Sequence, residues 1–226
     1  MIDSSDVKLE NIDPEEISDV IVKLGKSFGI KFGHTDFQEV KTFGELCDVV
    51  ELKVTGLQKN DCTSQQAFYR IREALSVASG LDKKEITLQT ELAFVFPYNS
   101  RRQKMKLFQK QLGLSVDVLG MKGWLAWTIA GGFLLSFLFF FFSWKLAIMG
   151  LLFFFVFAWL AGQFSKELNL GTVKQLTEMV AREHYMVVRR QPGTVNRNEI
   201  VQKIRKVFMA DLYLNKEMLI RDASFV

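Results

Sequence analysis

Two apolar runs interrupt an otherwise mixed chain: residues 124–142 and 146–164, each 19 residues without a charge, separated only by Ser143, Trp144 and Lys145. At about 1.5 Å per residue each run reaches roughly 28 Å as a helix, close to the ~30 Å hydrocarbon core of a bilayer, so the pattern predicts two spans joined by a tight turn. Outside the runs the period changes. Ile17, Val20, Ile21, Leu24 and Phe28 recur at helical spacing, as do Ile200, Ile204, Val207 and Phe208, and each set predicts an amphipathic helix with one buried stripe. Four sites pair a capping residue with Glu or Gln three positions later: Thr42 with Glu45, Thr63 with Gln66, Thr172 with Gln175, and Asn196 with Glu199. The expected class is therefore all-α.

The residues flanking the runs fit a membrane hairpin. Trp124, Trp127, Trp144 and Trp159 are the only tryptophans and fall at or near the run ends, where an indole buries its ring and keeps its N–H wet. The alternative, two core helices of a soluble domain, needs more apolar surface than the rest of the chain supplies. Gly132 with Ser136 and Ala158 with Gly162 offer small-residue pairs for close helix packing. Arg101, Arg102, Lys104, Lys106, Lys110 and Lys122 precede the first run and Lys166 and Lys174 follow the second, while the turn holds Lys145 alone. The positive-inside rule then puts both termini in the cytoplasm. The expected location is an integral membrane protein of a bacterial inner membrane. The chain opens with Asp3 and Asp6 rather than a basic segment, so no cleavable signal peptide is expected.

Charge and chemistry narrow the function classes. The net charge of +4 is modest, and the basic residues concentrate beside the apolar runs, so nucleic acid is not an expected partner. The basic stretch 101–110 has two readings, a face for anionic headgroups and a solvated charged face that fixes topology. Cys47 and Cys62 lack metal or redox spacing and read as packing residues in a reducing compartment. His34 and His184 have no HExxH, cysteine or nucleophile motif nearby and read as surface or capping groups. No metal site and no catalytic constellation is expected.

The soluble part repeats. Residues 67–92 align without a gap with 200–225, an offset of 133, matching Ile71-Arg72 with Ile204-Arg205 and Leu81 with Leu214. Residues 39–50 align with 169–180 at an offset of 130, matching Thr42 with Thr172, Leu46 with Leu176 and Val50 with Val180. Two matches at nearly one offset favour a duplicated module over chance likeness between amphipathic helices.

These units resemble acyl carrier proteins. EITLQTEL and MLIRDASFV look like the end of that family's first helix-loop unit, and LGKSFGIKFGHTDFQEVKTFGELCDVV looks like its second-helix end, loop and third helix. The resemblance implies two small helical bundles. Residues 1–55 join with 195–226 as a split, circularly permuted module. Residues 63–121 join with 165–190 as a second module, interrupted by the transmembrane hairpin 122–164. The family carries phosphopantetheine on a serine at the start of its second helix. Counting from Phe28-Gly29 puts Pro14 there, which has no hydroxyl, and counting from Leu112-Gly113 puts Tyr98 there, with Ser100 the nearest hydroxyl. Ser100 reads first as a helix N-cap and second as an attachment site, so no cofactor is expected. The acidic N-terminal segment keeps the family's charge, with Asp3, Asp6, Glu10, Asp13, Glu15, Glu16 and Asp19 against Lys8.

The resulting expectation is a non-enzymatic, membrane-anchored carrier-like module that binds or scaffolds a protein of acyl or lipid metabolism at the cytoplasmic face. Trp124, Trp127, Trp144, Trp159, Lys145, Arg101, Arg102, Lys104, Lys106 and Lys110 form its membrane interface. Ile17, Val20, Ile21, Leu24, Phe28, Ile200, Ile204 and Phe208 form the core of the split module. Two alternatives stay open, a working carrier modified at Ser100 and a membrane-active hairpin regulated by its soluble helices. Closure of the split module by swapping between two chains leaves a homo-oligomer open as well.

Overall fold

The computed structural model describes Leu9 and residues 12–33, 35–163 and 166–225. Asp3, Asp6, Lys8, Glu10, His34 and Phe164, singled out above, lie outside the described residues. The fold is all-α. Its helices are α1 (Pro14–Phe28), α2 (Phe43–Lys53), α3 (Thr63–Ser79), α4 (Leu92–Val95), α5 (Arg101–Leu112), α6 (Gly123–Leu138), α7 (Trp144–Gln163), α8 (Val173–Glu183), α9 (Tyr185–Val188) and α10 (Arg197–Asp211). Among the described residues four two-residue strands, β1 (Leu57–Gln58), β2 (Leu119–Gly120), β3 (Glu167–Leu168) and β4 (Thr194–Val195), pair as β1 with β4 in parallel and β2 with β3 antiparallel. Contacts divide the chain into two units, residues 1–71 with 177–226 and residues 72–176.

The first unit joins the two ends of the chain. Asp13 caps α1 by accepting from the Glu15 N–H at 2.9 Å, Pro14 fills the first turn, and the helix stops at Gly29, whose φ of 64° suits a residue without a side chain. Val20, Leu24 and Phe28 on α1 are buried in one core with Ile200, Ile204, Val207 and Phe208 on α10, while Ile21 packs partly buried against it and Ile17 is half-buried. Phe43 at the start of α2 meets Phe208 edge-on at 5.3 Å. Tyr185 enters the same core, its ring 5.0 Å from Phe28. Tyr185 thus belongs to the first unit and not, as the carrier resemblance implies, to the second module.

The expected capping boxes divide in two. Thr42 with Glu45 and Thr172 with Gln175 form as reciprocal boxes, the N3 side chain holding the cap backbone and the threonine hydroxyl holding the N3 N–H. The other two trade partners. The Glu199 carboxylate accepts from the Thr63 N–H, both oxygens at 3.3 Å, and so caps α3 rather than its own helix. Asn196 caps α10 through the Asn198 N–H, and Gln66 accepts from the Arg190 N–H. The Thr63 hydroxyl is left to accept from the Arg189 guanidinium at 2.7 Å.

Arg189 is 3% exposed and is held by neutral oxygen atoms: Thr63 Oγ1, Thr194 Oγ1 at 3.1 Å, the Tyr185 hydroxyl, and the carbonyls of Lys59 and Asp61. A buried guanidinium is tolerated only when its donors are satisfied, and this one thereby ties the segment 59–63 to the β4 strand.

The second unit repeats the hydrogen bonding of the first. In unit one, Phe43 N–H donates to Ala223 O, Gly44 N–H to Arg221 O, and Phe225 N–H to Lys41 O. In unit two, Val173 N–H donates to Thr90 O, Lys174 N–H to Leu88 O, and Leu92 N–H to Gly171 O. Each donor and acceptor is displaced by 130 or 133 positions from its counterpart, the two offsets found in the sequence. The isolated bridges, Thr42 with Ser224 and Glu91 with Thr172, obey the same shift. Buried Phe96 and Phe108, 5.8 Å apart, anchor this unit with Ile86, Leu92, Val95 and Val173.

Candidate functional site

Two helices are long and apolar enough to cross a membrane, over Gly123–Phe141 and Trp144–Gly162, with mean hydropathy of 1.8 and 2.0. The first is α6 continued by one 3-10 turn, Phe139–Phe141. They form an antiparallel hairpin that buries little besides Ile129, Gly132, Ser136 and Ala147. Most of their surface is left uncovered by the rest of the described chain: Trp127 is 80% exposed and Phe142 86%. Trp124, Trp127 and Trp159 sit at the open end of the hairpin, with Trp144 and exposed Lys145 at its turn.

The close approach of the two helices is at Gly132 and Gly150. A Cβ built on Gly132 would overlap the Phe154 ring, and one on Gly150 would lie 2.6 Å from Ser136 Oγ, which itself donates to Gly132 O at 2.8 Å. Of the two small-residue pairs in the sequence, Gly132 with Ser136 is therefore at the contact. Ala158 with Gly162 is not, since a Cβ on Gly162 meets nothing within 4 Å. The spacing marks a small face without saying which way it turns.

The open end of the hairpin is clipped shut. Leu119 pairs with Leu168 and Gly120 with Glu167, and Asn169 N–H donates to Val118 O at 2.9 Å. This ladder sets Lys122, just before α6, beside Lys166, just after α7. Arg101, read from sequence as a headgroup contact, is instead 8% exposed, its Nε donating to Phe96 O at 2.8 Å and its Nη1 to Lys166 O at 2.6 Å. Lys104 donates to Ser79 O, whereas Lys106 and Lys110 are exposed on α5 and Arg102 is half-buried.

A second feature lies in the first unit. A groove of about 810 Å³ runs along α1, lined by Pro14, Ile17, Ile21 and Val22 on one side and Ile30, Phe32 and Phe37 on the other, with Lys26 and Lys31 also lining it. A smaller cavity of about 150 Å³ continues from Pro14, Ile17 and Ile21 to Leu46 and Phe225. The groove falls within the roughly 300–1,000 Å³ usual for small-ligand sites. Its far wall is held by the Phe32–Phe37 contact at 4.9 Å and by Asp36, which accepts from Gly33 N–H and pairs with Lys53 Nζ at 2.6 Å. Those bonds hold the Asp36 carboxyl below its ordinary range, the lysine first.

The remaining chemistry is sparse. Ser100 stands at the N-cap position of α5, but its side chain makes no capping bond. His184 precedes α9, also without a side-chain cap. Cys47 is buried and burial pushes its thiol up to about 12, so it stays protonated. Cys62 is exposed rather than packed. Lys203, 6% exposed, donates to Ser64 Oγ at 3.0 Å, and burial pushes its ammonium below the usual lysine range against the pull of Glu199. Among the described residues no three His, Cys, Asp or Glu side chains gather as a metal site. The chain matches no protein family, no curated protein and no solved structure.

Proposed function

We propose that this chain is a non-catalytic binding module of the cytoplasmic membrane face, two acyl-carrier-like helical bundles carried on a transmembrane hairpin. The single observation that supports it most is a hairpin apolar on nearly its whole circumference, its ends clipped together by β2 and β3, so that both flanking segments leave on one side. The excess of basic residues on those segments favours the cytoplasm. Repetition of one hydrogen-bond set at two nearly equal offsets supports paired modules, one of them permuted across the termini. A bacterial inner membrane remains the proposed location.

The groove beside Pro14 supports a link to acyl or lipid metabolism. It begins at the position to which the carrier resemblance assigns the arm, and offers an apolar channel with lysines along it, suited to a fatty-acyl chain with an anionic head or to an apolar segment of a partner protein. The test is binding of a fluorescent fatty acid to the full chain in a neutral detergent. Wild-type protein should bind, and Ile21→Arg should lose binding while keeping its helical circular dichroism. No saturable binding to wild-type protein overturns the acyl reading of the groove.

A second reading, a working carrier modified at Ser100, draws on the Ser100 hydroxyl making no helix cap. Intact-mass measurement of protein from its native host separates the two. An unmodified mass supports the non-catalytic module, and an increment of a phosphopantetheine arm that vanishes in Ser100→Ala makes the chain a carrier.

A further inference from the structure

Three cations from three separate segments meet at one aromatic ring. The Arg101 guanidinium carbon lies 5.6 Å from the Tyr98 ring centroid, Lys122 Nζ 5.8 Å and Lys166 Nζ 5.0 Å. Each is attracted by the π-face of the ring. The ring carries no net charge, so it leaves three like charges within 6 Å of its centre uncompensated. Arg101 is pinned by two backbone carbonyls, and the β2–β3 ladder holds Lys122 and Lys166 side by side. Among the described residues none of the three forms an ion pair with a carboxylate. Such a concentration of positive charge attracts an anion.

Its position says which kind. Lys122 precedes Trp124 by two residues and Lys166 lies three positions beyond the last residue of α7, so the cluster stands where the apolar hairpin begins. That is the depth of phospholipid headgroups, where tryptophan and cationic residues collect. We propose that Lys122 and Lys166, gathered at the Tyr98 ring beside the buried charge of Arg101, form a binding site for the phosphate of an anionic phospholipid, with the acyl chains lying along the start of α6. The site rests on the membrane reading and adds to it a lipid preference with named contacts. It differs from a general basic face because Lys106 and Lys110, exposed on α5, lie outside it.

The test is native mass spectrometry of the full chain in a neutral detergent, offered equal phosphatidylglycerol and phosphatidylcholine of matched chain length. Wild-type protein should retain phosphatidylglycerol in preference, and Lys122→Gln and Lys166→Gln should each lower that preference about fivefold, the equivalent of about 1 kcal/mol per basic residue at a membrane surface. Lys106→Gln with Lys110→Gln should keep it. Equal retention of both lipids by wild-type protein overturns the site, as does equal loss in the Lys106 and Lys110 pair. Displacement of the lipid by millimolar inorganic phosphate would make it a site for free phosphate and overturn the lipid assignment. Flotation with pure phosphatidylcholine vesicles separates this from the membrane reading: a chain that floats without lipid preference loses only the site, and one that stays soluble and does not float loses both.

Discussion

Thr42 and Ser224, near opposite ends of the chain, form an antiparallel bridge flanked by the Phe43-to-Ala223 and Phe225-to-Lys41 backbone bonds. The helix that follows Thr42 and the loop that precedes Ser224 thus close one core, and the Phe43 and Phe208 rings fill it. Phe208→Ala should cost about 3–5 kcal/mol and raise amide exchange across residues 15–50, far away in sequence. Unchanged exchange there would mean that the termini fold independently.

The hairpin turn should face the side opposite the rest of the chain. In intact cells a membrane-impermeant maleimide should label Ser143→Cys and spare the exposed native Cys62 until the membrane is opened. The opposite pattern reverses the topology.

The two capping boxes predict different responses to acid. Hydrogen bonds from the Lys41 and Thr42 N–H groups hold the Glu45 carboxyl below its ordinary value of 4.5. A depressed carboxylate stabilises the fold above its unfolded-state value and loses that contribution as pH falls through its folded value. Gln175 makes the same bonds to Gly171 and Thr172 without titrating. Exchange protection of the Lys41 and Thr42 amides, corrected for intrinsic rate, should fall as the pH drops below the ordinary glutamate value of 4.5, and that of Gly171 and Thr172 should not. Glu45→Gln should flatten the first response.

Hairpin packing is separable from the soluble units, because all four tryptophans lie in the hairpin and report on it alone. Gly132→Leu should displace Phe154 and destabilise the hairpin by about 1–3 kcal/mol in tryptophan-monitored unfolding. Gly162→Leu, with open space at its Cβ, should leave it unchanged.

How far the sequence carries can be read at particular positions. The all-α class and the two apolar helices were legible because their signals are local: period, length and charge-free runs. The repeat was legible because Thr42, Glu45, Thr172 and Gln175 keep a local motif. The polar cluster around Arg189 was not. Arg189 stands in a basic, turn-like stretch, and nothing in its neighbours announces Thr63 and Lys59 as partners more than a hundred positions away. For the same reason Thr63, Gln66 and Glu199 read as ordinary capping boxes and serve other groups instead. Lys122 and Lys166 each looked like a topology signal, and only the β2–β3 register set them at the Tyr98 ring.

A core shared between the two ends of a chain also sets an order of manufacture. At about 5–20 residues per second, roughly 10–40 s separate synthesis of α1 from that of residue 225. Throughout that interval Val20, Leu24, Phe28 and Phe43 wait for Phe208, and the hairpin emerges before it. If the hairpin spans a membrane as proposed, its insertion precedes closure of the first unit, and the N-terminal helices still need their partner when it occurs.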